Sequence, residues 1–416
     1  MRFIGTIFKY FVLLVLVGIA LLVLLPLLPV AKDRMTAGKY TSWLEAEAIS
    51  LDLARPDAGF SFPDDIGDAR LILLSEIHGY RAVQKLDLAL VTRLNENFGV
   101  RTYLAELNPA QAMAFNEYLA GGGDAEVRGV FDYWAEGTYQ WANREFFEKL
   151  GALRQHNEKA ADQDRIWFVG VDSIGDRDFA ERIASMQRPQ STPGFGVLAS
   201  VQAINAQLIR DTLARDEDAS RYTHIEANVA TVAAMPGAGS ETFYGLWGLF
   251  HGSKVMINGS RPLSMRLNAE GGPFEGGVIT LGTICVDNCF NMMPAAAAPG
   301  PFKPKNGEPY VLMPMNFDSA YLSRTRGIQE IKKVMGDARV AMVPVSAEGS
   351  PYLKGKRLTK STGYITMIPG YSFEYEGPAG EAMDYVIVMR GSAALTPWKG
   401  EAYDVTRGGA ANAGIN

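Results

Sequence analysis

The stretch Ala69–Gly79, ARLILLSEIHG, constrains the fold of this chain more than any other part of its sequence. Its run Leu71–Leu74 is apolar without alternation, as in a strand that helices cover on both faces. Glu76 and His78 follow at the end of this run. Because ligands of open parallel sheets bind at the carboxyl ends of the strands, the stretch predicts a buried central strand that leads into a polar site.

The alternative interpretation is that Glu76 caps the next helix and His78 is a solvated loop residue, which is the common use of an isolated Glu-x-His. A second stretch weighs against it, because Val100–Leu107, VRTYLAEL, is another apolar run that reaches an acid, Glu106. The 3-4 spacing of apolar residues in Tyr80–Phe98 predicts a helix between the two runs. A strand-helix-strand unit has parallel strands, so we expect two adjacent strand ends that each present a carboxylate.

The remaining chain continues the alternation of helices and apolar strands. Asn108 and Pro109 are typical of a helix start, and the apolar run Ile166–Val171 predicts a strand that ends at Asp172. The aromatic segment Phe131–Trp141 either lines a pocket or packs in the core. Further strands are expected at 277–286, 310–314, 339–345 and 385–389. The fold class is therefore α/β, with a mostly parallel central sheet flanked by helices and a helical insertion at about 176–240.

The composition narrows the class of protein. Of the residues, 47% are hydrophobic and 21% are charged, which is sufficient for a large core and shows no bias toward disorder. The net charge of -6 and the absence of Lys/Arg-rich runs in the sequence argue against a nucleic-acid partner.

The N-terminus carries a long apolar run, Tyr10–Ala31, without a charged residue. About 20 such residues span a bilayer, whereas a cleaved signal peptide has a shorter apolar core and a small-x-small cleavage site. We therefore expect residues 1–34 to be a membrane anchor or signal segment, preferably an uncleaved transmembrane helix. The distribution of positive charge slightly favours a cytoplasmic N-terminus, which would place a single domain, residues 35–416, on the periplasmic or extracellular side.

The chain has two cysteines, Cys285 and Cys289. Their close spacing fits a small disulfide loop in an oxidising compartment, although a reduced pair is the alternative. No second cysteine pair exists to complete a zinc site.

Four histidines occur in the sequence. His156 and His224 lie in polar helical stretches, where surface positions are expected. His251 lies among aromatic residues and glycines in WGLFHGSK, where a histidine is either a hydrogen-bonded core residue or part of a site.

Three motifs together, SEIHG, YLAELNPAQAMAFNEYL and WGLFHGSK, resemble the erythromycin esterase-like superfamily, which also includes ChaN-like haem-binding proteins and TraB/Tiki-type proteins. The resemblance covers roughly Asp65–Cys285. It implies an α/β fold with helical insertions and a polar site formed by four matching residues, namely Glu76, His78, Glu106 and His251.

The chain also departs from the esterase pattern. A single residue, Ile77, separates Glu76 from His78, which is closer to the ChaN-like form, and Ser75 stands where a glycine is usual. No arginine matches securely, since Arg81 lies nearer to His78 than the esterase pattern suggests. Macrolide hydrolysis is therefore not implied.

Two chemistries fit the four matching residues. Without a metal, a histidine oriented by a carboxylate removes a proton from water, and a second histidine or acid stabilises the transition state. Alternatively, the same four side chains bind a divalent metal ion that supplies hydroxide. A nucleophilic role for Ser75 is disfavoured because the sequence lacks the small-x-Ser-x-small elbow.

We therefore predict a membrane-anchored hydrolase of an ester or amide in a small-molecule or peptide substrate. The alternative is a ChaN-like protein that binds haem or iron without catalysis.

Overall fold

A computed structural model describes residues 2–25, 27–51, 62–185, 192–215, 219–304, 306–363, 373–406 and 409–411. The helices are α1 (Arg2–Leu24), α2 (Leu27–Met35), α3 (Gly38–Glu47), α4 (Arg81–Phe98), α5 (Pro109–Leu119), α6 (Ala125–Glu136), α7 (Arg144–Lys159), α8 (Arg177–Ser185), α9 (Leu198–Leu213), α10 (Arg221–Ala233), α11 (Leu263–Leu267), α12 (Ile328–Met335) and α13 (Ala379–Ala382). Short 3-10 helices lie at Asp64–Asp68, Asp162–Asp164, Ala238–Ser240, Leu249–His251, Gly300–Phe302 and Pro351–Leu353.

The strands are β1 (Ile49–Leu51), β2 (Leu71–Glu76), β3 (Thr102–Ala105), β4 (Trp167–Gly170), β5 (Phe243–Gly248), β6 (Val278–Val286), β7 (Phe290–Pro294), β8 (Tyr310–Pro314), β9 (Arg324–Thr325), β10 (Val340–Val343), β11 (Ser361–Thr362), β12 (Tyr385–Arg390), β13 (Ala402–Asp404) and β14 (Gly409–Ala411).

A large central sheet has the strand order β1-β10-β12-β6-β2-β5-β3-β4. The pairs from β12 to β4 are parallel, while β10 pairs antiparallel with both β1 and β12. Every residue of β2, β3, β4 and β5 is buried, as in a sheet that is covered on both faces. The structure is thus a mixed α/β fold, with β2 inside its large sheet.

Strand β5 lies between β2 and β3, so the expectation that these two strands are adjacent is wrong. Phe243 of β5 is in register with Leu71 on one side and with Thr102 on the other. Pairing with β3 stops after Tyr103, and the indole Nε1 of Trp247 then donates to the carbonyl oxygen of Leu104 at 2.9 Å. Strand β5 therefore enters the sheet between β2 and β3, which both precede it in the chain.

The helices next to the site begin and end as their sequences predict. Helix α4 ends at Gly99, which adopts a left-handed conformation with φ 66°. At the start of α5, the Asn108 side chain accepts from the main-chain nitrogen of Gln111, and the Gln111 side chain accepts from Asn108. Helices α8, α9 and α10 occupy the range of the predicted insertion. The boundaries of the domain stay a prediction.

A second sheet has the order β14-β13-β8-β7. The Pro/Ala/Gly-rich composition of residues 291–309 predicts a loop, but strand β7 (Phe290–Pro294) occupies the start of this segment. Cys285 and Cys289 form a disulfide with an S–S distance of 2.09 Å. The disulfide bridges the tight connection from β6 to β7.

The predicted transmembrane helix is wrong, and with it that part of the fold class and the single-pass membrane location. In the described part of the chain, no helix has both the length and the apolar character needed to cross a membrane. The apolar run is divided between two elements, because α1 ends at Leu24 and α2 begins at Leu27. The uncharged part of α1 from Tyr10 onward is shorter than the ~20 residues that span a bilayer.

Ion pairs of Asp33 hold the end of helix α2 in place. Asp33, which is buried, pairs with the side chains of Arg324 and Arg326, the latter at 2.9 Å. The carbonyl oxygen of Asp33 also accepts from Arg357. Asp33 therefore fixes the end of α2 to the segment that follows β8.

Candidate active site

Glu76 and His78 form the first half of the site. Glu76 is the last residue of β2 and is buried, and its Oε1 lies 3.0 Å from Nδ1 of His78. The His78 side chain is 29% exposed. Because an ionised carboxylate only accepts hydrogen bonds, Glu76 favours the tautomer in which Nδ1 carries the proton and Nε2 is the basic nitrogen.

The main chain of His78 is fixed from two sides. Its carbonyl oxygen accepts from the amide nitrogens of Gln140, at 3.1 Å, and of Asn291, at 2.5 Å. Gly79 has φ 108°, and a Cβ there would lie 2.5 Å from the carbonyl oxygen of Met292. Only glycine fits this turn without strain, so β7 comes close enough to hold His78 in place.

The ring of His78 packs against an aromatic side chain. The centroids of His78 and Trp141 are 4.5 Å apart with an interplanar angle of 60°. Phe131 and Trp134 of the aromatic segment are buried in the core, while Trp141 contacts His78. From this segment it is Gln140, and none of the described aromatic residues, that lines the cavity beside His78.

Glu106 and His251 form the second half. Glu106 follows β3, and its Oε1 lies 3.1 Å from Nε2 of His251. Its Oε2 accepts from the main-chain nitrogen of Gly248 at 2.8 Å. His251, in the 3-10 helix after β5, is buried and also contacts the rings of Trp247 and Tyr222.

Arg221 contacts Glu106 in this half of the site, and it was not predicted from the sequence as a site residue. It is the first residue of α10, and its Nη2 lies 2.7 Å from Oε1 of Glu106 and 2.5 Å from Oδ2 of Asp172. A cation in the first turn of a helix opposes the helix dipole. An arginine directly after the N-cap Ser220 is therefore a signal that a carboxylate partner lies nearby.

The two halves meet at Gly248. A Cβ placed on Gly248 would lie 3.1 Å from Nε2 of His78 and 3.4 Å from Cδ2 of His251. The separation of these two ring atoms is therefore at most the sum of these distances, well below the ~10 Å beyond which two groups cannot share one hydrogen-bonded water. The missing side chain leaves room between the two rings.

The two carboxylates have opposite pKa shifts. Burial raises the pKa of Glu76, although the hydrogen bond and charge of His78 oppose this effect. At Glu106 burial also favours the neutral form, but the charge and hydrogen bond of His251, together with His78 and Arg221, hold its pKa well below the usual range. Glu106 is thus a fixed anion.

The pKa of His78 is raised. Burial by itself lowers it, but the hydrogen bond and charge of Glu76 and the charge of Glu106 outweigh burial. Because the pKa values of both Glu76 and His78 are raised, this pair keeps its proton to higher pH than an isolated histidine does.

An apolar cavity of about 270 Å³ opens beside His78. Glu76, His78 and Gly248 are among the residues that line it. Most of the other lining residues are apolar, namely Leu249, Phe250, Met293, Met315, Phe317 and Phe373. The site therefore combines polar side chains, where chemistry can occur, with an apolar space that can hold part of a ligand.

The metal role of the four matching residues stays a prediction. Among the residues that the structure describes, no group of three or more His, Cys, Asp or Glu side chains is arranged to hold a metal ion. Each carboxylate is instead bonded to one histidine. Haem and iron binding stay predictions as well.

The other singled-out residues make none of the hydrogen bonds described above. Ser75 is buried, and a Cβ on Gly252 would overlap its hydroxyl, so substrate has no access to it. His156 is hydrogen-bonded to Asn95 at 2.8 Å. His224 is buried, so its predicted surface position is wrong.

No protein-family model matches the chain, and no curated protein matches its sequence. Solved structures do resemble it. A Bacillus cereus protein superposes with a TM-score of 0.59 and 13% identity over 87% of this chain and 99% of that one. A succinoglycan biosynthesis protein gives 0.58 and 13% identity over 87% of this chain and 98% of that one.

A mutant of the erythromycin esterase EreC in its open conformation superposes with a TM-score of 0.50 and 12% identity, over 85% of this chain and 99% of that one. The haem-binding ChaN of Campylobacter jejuni gives a TM-score of only 0.25 at 11% identity. The resemblance that the three sequence motifs indicated is thus confirmed for the architecture: this chain has the fold of the erythromycin esterase-like proteins.

Proposed function

We propose that this protein hydrolyses a carboxylic ester or amide, with His78 as the general base. The observation that carries the proposal is the position of Nε2 of His78. Glu76 binds the other ring nitrogen at 3.0 Å, while a Cβ on Gly248 would lie 3.1 Å from Nε2 and 3.4 Å from the ring of His251. Glu76, His78 and Gly248 all line the apolar cavity.

In the proposed reaction, a water molecule donates a hydrogen bond to Nε2 of His78. As the water oxygen attacks the carbonyl carbon, His78 takes the proton, and the negative charge of Glu76 stabilises the imidazolium that forms. When the carbon–oxygen or carbon–nitrogen bond breaks, His78 returns the proton to the leaving group. The products are a carboxylic acid and an alcohol or amine, so that atoms and charge balance.

His251 and Glu106 have a different role in this proposal. The ring of His251 bounds the water site opposite His78, and Glu106 holds that ring through Nε2. Glu106 also receives the main-chain nitrogen of Gly248, so that one carboxylate fixes both the ring and the floor of the site. Arg221 and Asp172 hold Glu106 in turn.

A substrate panel tests the proposal. The purified protein is assayed with p-nitrophenyl carboxylic esters, p-nitroanilides and a p-nitrophenyl phosphate control, each with and without chelator. We expect carboxylic esters or anilides to be hydrolysed, the phosphate to be spared, and His78→Asn to lose at least about 100-fold in kcat. Equal activity of His78→Asn and the unaltered protein would contradict the proposal.

The chelator arm separates the two mechanisms that the sequence left open. The geometry supports the metal-free mechanism, so we expect activity to be unchanged by chelator. If chelator abolishes activity and added divalent metal restores it, the metal mechanism would instead be favoured. Haem binding is checked by titration with haemin, where a Soret shift abolished by His78→Ala would revive that alternative.

A further inference from the structure

The cavity beside His78 determines which substrates the proposed reaction accepts. We propose that it receives an uncharged, apolar acyl group no larger than about one ring or a short alkyl chain. This inference rests on the proposed function for its chemistry, but it concerns the ligand and is tested separately.

The wall of the cavity excludes charge. Met293, Met315, Phe317 and Phe373 are buried and apolar, and the ionisable groups among its described lining residues, Glu76 and His78, bind each other. A negatively charged substrate group that entered would lose its hydration without gaining a lysine or arginine partner among the described lining residues, which is strongly unfavourable.

The amide groups in the lining are already occupied as donors. Gln140 donates to the carbonyl oxygens of His78 and Met292, at 3.1 and 2.5 Å, and Asn291 donates to that of His78. These side chains therefore hold the protein's own main chain. The substrate gains its affinity from apolar burial instead.

The volume limits the size of the group. A cavity of about 150 Å³ lined by aliphatic and aromatic side chains holds benzene, while drug-sized ligands occupy about 300–1,000 Å³. At about 270 Å³, this cavity takes a single ring with a few additional carbons or a short alkyl chain. A large ring system must remain outside it.

The wall segment 315–317 is anchored, which opposes widening of the cavity on this side. The main-chain nitrogen of Met315 donates to the carbonyl oxygen of Cys289 at 2.9 Å, and the main-chain nitrogen of Phe317 donates to the carbonyl oxygen of Cys285 at 2.8 Å. Tyr80 donates its hydroxyl to the carbonyl oxygen of Met315 at 2.5 Å. Both ends of this wall segment are thus tied to the disulfide loop.

A chain-length series tests the inference. With p-nitrophenyl esters from acetate upward, we expect kcat/KM to rise about fourfold for each added methylene, the equivalent of ~0.8 kcal/mol, and to fall once the chain exceeds the cavity. A hemisuccinate ester, which carries a carboxylate at a comparable length, is expected to be at least tenfold slower than its apolar counterpart.

An exposed residue at the cavity provides the variant. Ala297 lines the cavity and is exposed, so Ala297→Phe fills the space without disturbing the core. We expect it to move the optimum to shorter chains. The neighbouring Ala296 is also exposed but does not line the cavity, so Ala296→Phe is the matched control and should leave the optimum unchanged.

Calorimetric binding of methyl alkyl ketones of increasing length gives a readout that does not depend on hydrolysis. If the ketones bind with a length limit that Ala297→Phe shortens but no ester is cleaved, the proposed function fails and the apolar site stands. If esters are cleaved at rates independent of length and charge, the proposed function stands and this inference is overturned. If esters are not cleaved and ketones show no length-dependent binding, both proposals are overturned.

Discussion

The two carboxylate–histidine pairs of the site use the same residue types in opposite environments. The Glu76–His78 pair has a partly exposed ring, and Oε2 of Glu76 is buried without a hydrogen-bond partner among the described residues. In the Glu106–His251 pair the ring is buried, and the carboxylate binds Arg221 and Gly248 as well. The first pair is therefore suited to exchange a proton and the second to hold a fixed charge.

The largest expected difference is between the two histidines. His78→Ala should lower kcat about 10²–10⁴-fold with little change in KM, because it removes the proposed base. His251→Ala should lower kcat less and should also lower the melting temperature, because it empties a buried position. Steady-state kinetics and thermal unfolding check both variants, with His156→Gln as the control outside the site. Equal losses of kcat in the two alanine variants would contradict the division of roles.

The two carboxylates should differ in stability when each loses its charge. Glu106→Gln is expected to destabilise the protein by about 1–3 kcal/mol, because the folded site holds Glu106 as an anion. Part of that cost is screened, since the Arg221 side chain is 46% exposed. Glu76→Gln should cost less than about 1 kcal/mol, because burial already favours its neutral form. Urea unfolding at pH 7 measures both, and the reverse order would refute the comparison.

The pH–rate profile sharpens the role of Glu76. The pKa of His78 is raised above its ordinary value of 6.5, so activity should be lost as the pH falls through a midpoint above 6.5. Glu76→Gln removes the largest cause of the increase and should move this midpoint to lower pH. The dependence of kcat/KM on pH gives the midpoint for both proteins. An unchanged midpoint would show that Glu76 does not set the pKa of His78.

The smallest effect is expected at the aromatic contact of His78. An edge contact of this kind contributes about 0.5–1.5 kcal/mol, so Trp141→Leu should lower kcat by at most about tenfold and leave the fold intact. Trp43, which packs against Tyr352 and takes no part in the site, supplies the matched Trp43→Leu control. A kcat loss in Trp141→Leu as large as that of His78→Ala would mean that Trp141 does more than orient the ring.

Local elements could be predicted well from the sequence. The apolar run 71–74, the helix that Gly99 ends and the Asn108 cap all carry their signal within a few residues, and the structure contains each of them. The strands expected near 310–314 and 385–389 also occur. These signals depend on burial and main-chain conformation, which neighbouring residues determine.

The predictions failed where distant segments meet. Strand β5 contains two glycines, Gly245 and Gly248, which weaken the strand pattern, and nothing in its own sequence shows that it inserts between β2 and β3. The Arg221 contacts with Glu106 and Asp172 likewise join residues far apart in the chain. The apolar N-terminus was misinterpreted because hydropathy alone does not reveal the division between α1 and α2.

The insertion of β5 determines how far apart the strands that lead to the two acids lie. The main chains of neighbouring strands are ~4.8 Å apart, so the main chains of two strands with a third between them are separated by about twice that distance. Main-chain pairing sets the interval on the side of β2, where Glu76 is in register with Gly248, while on the other side the main-chain nitrogen of Gly248 donates to Glu106 at 2.8 Å. The distance between the two acids in this chain therefore depends on Gly248, which both halves of the site contact, and not on the apolar side chains that form the cavity wall.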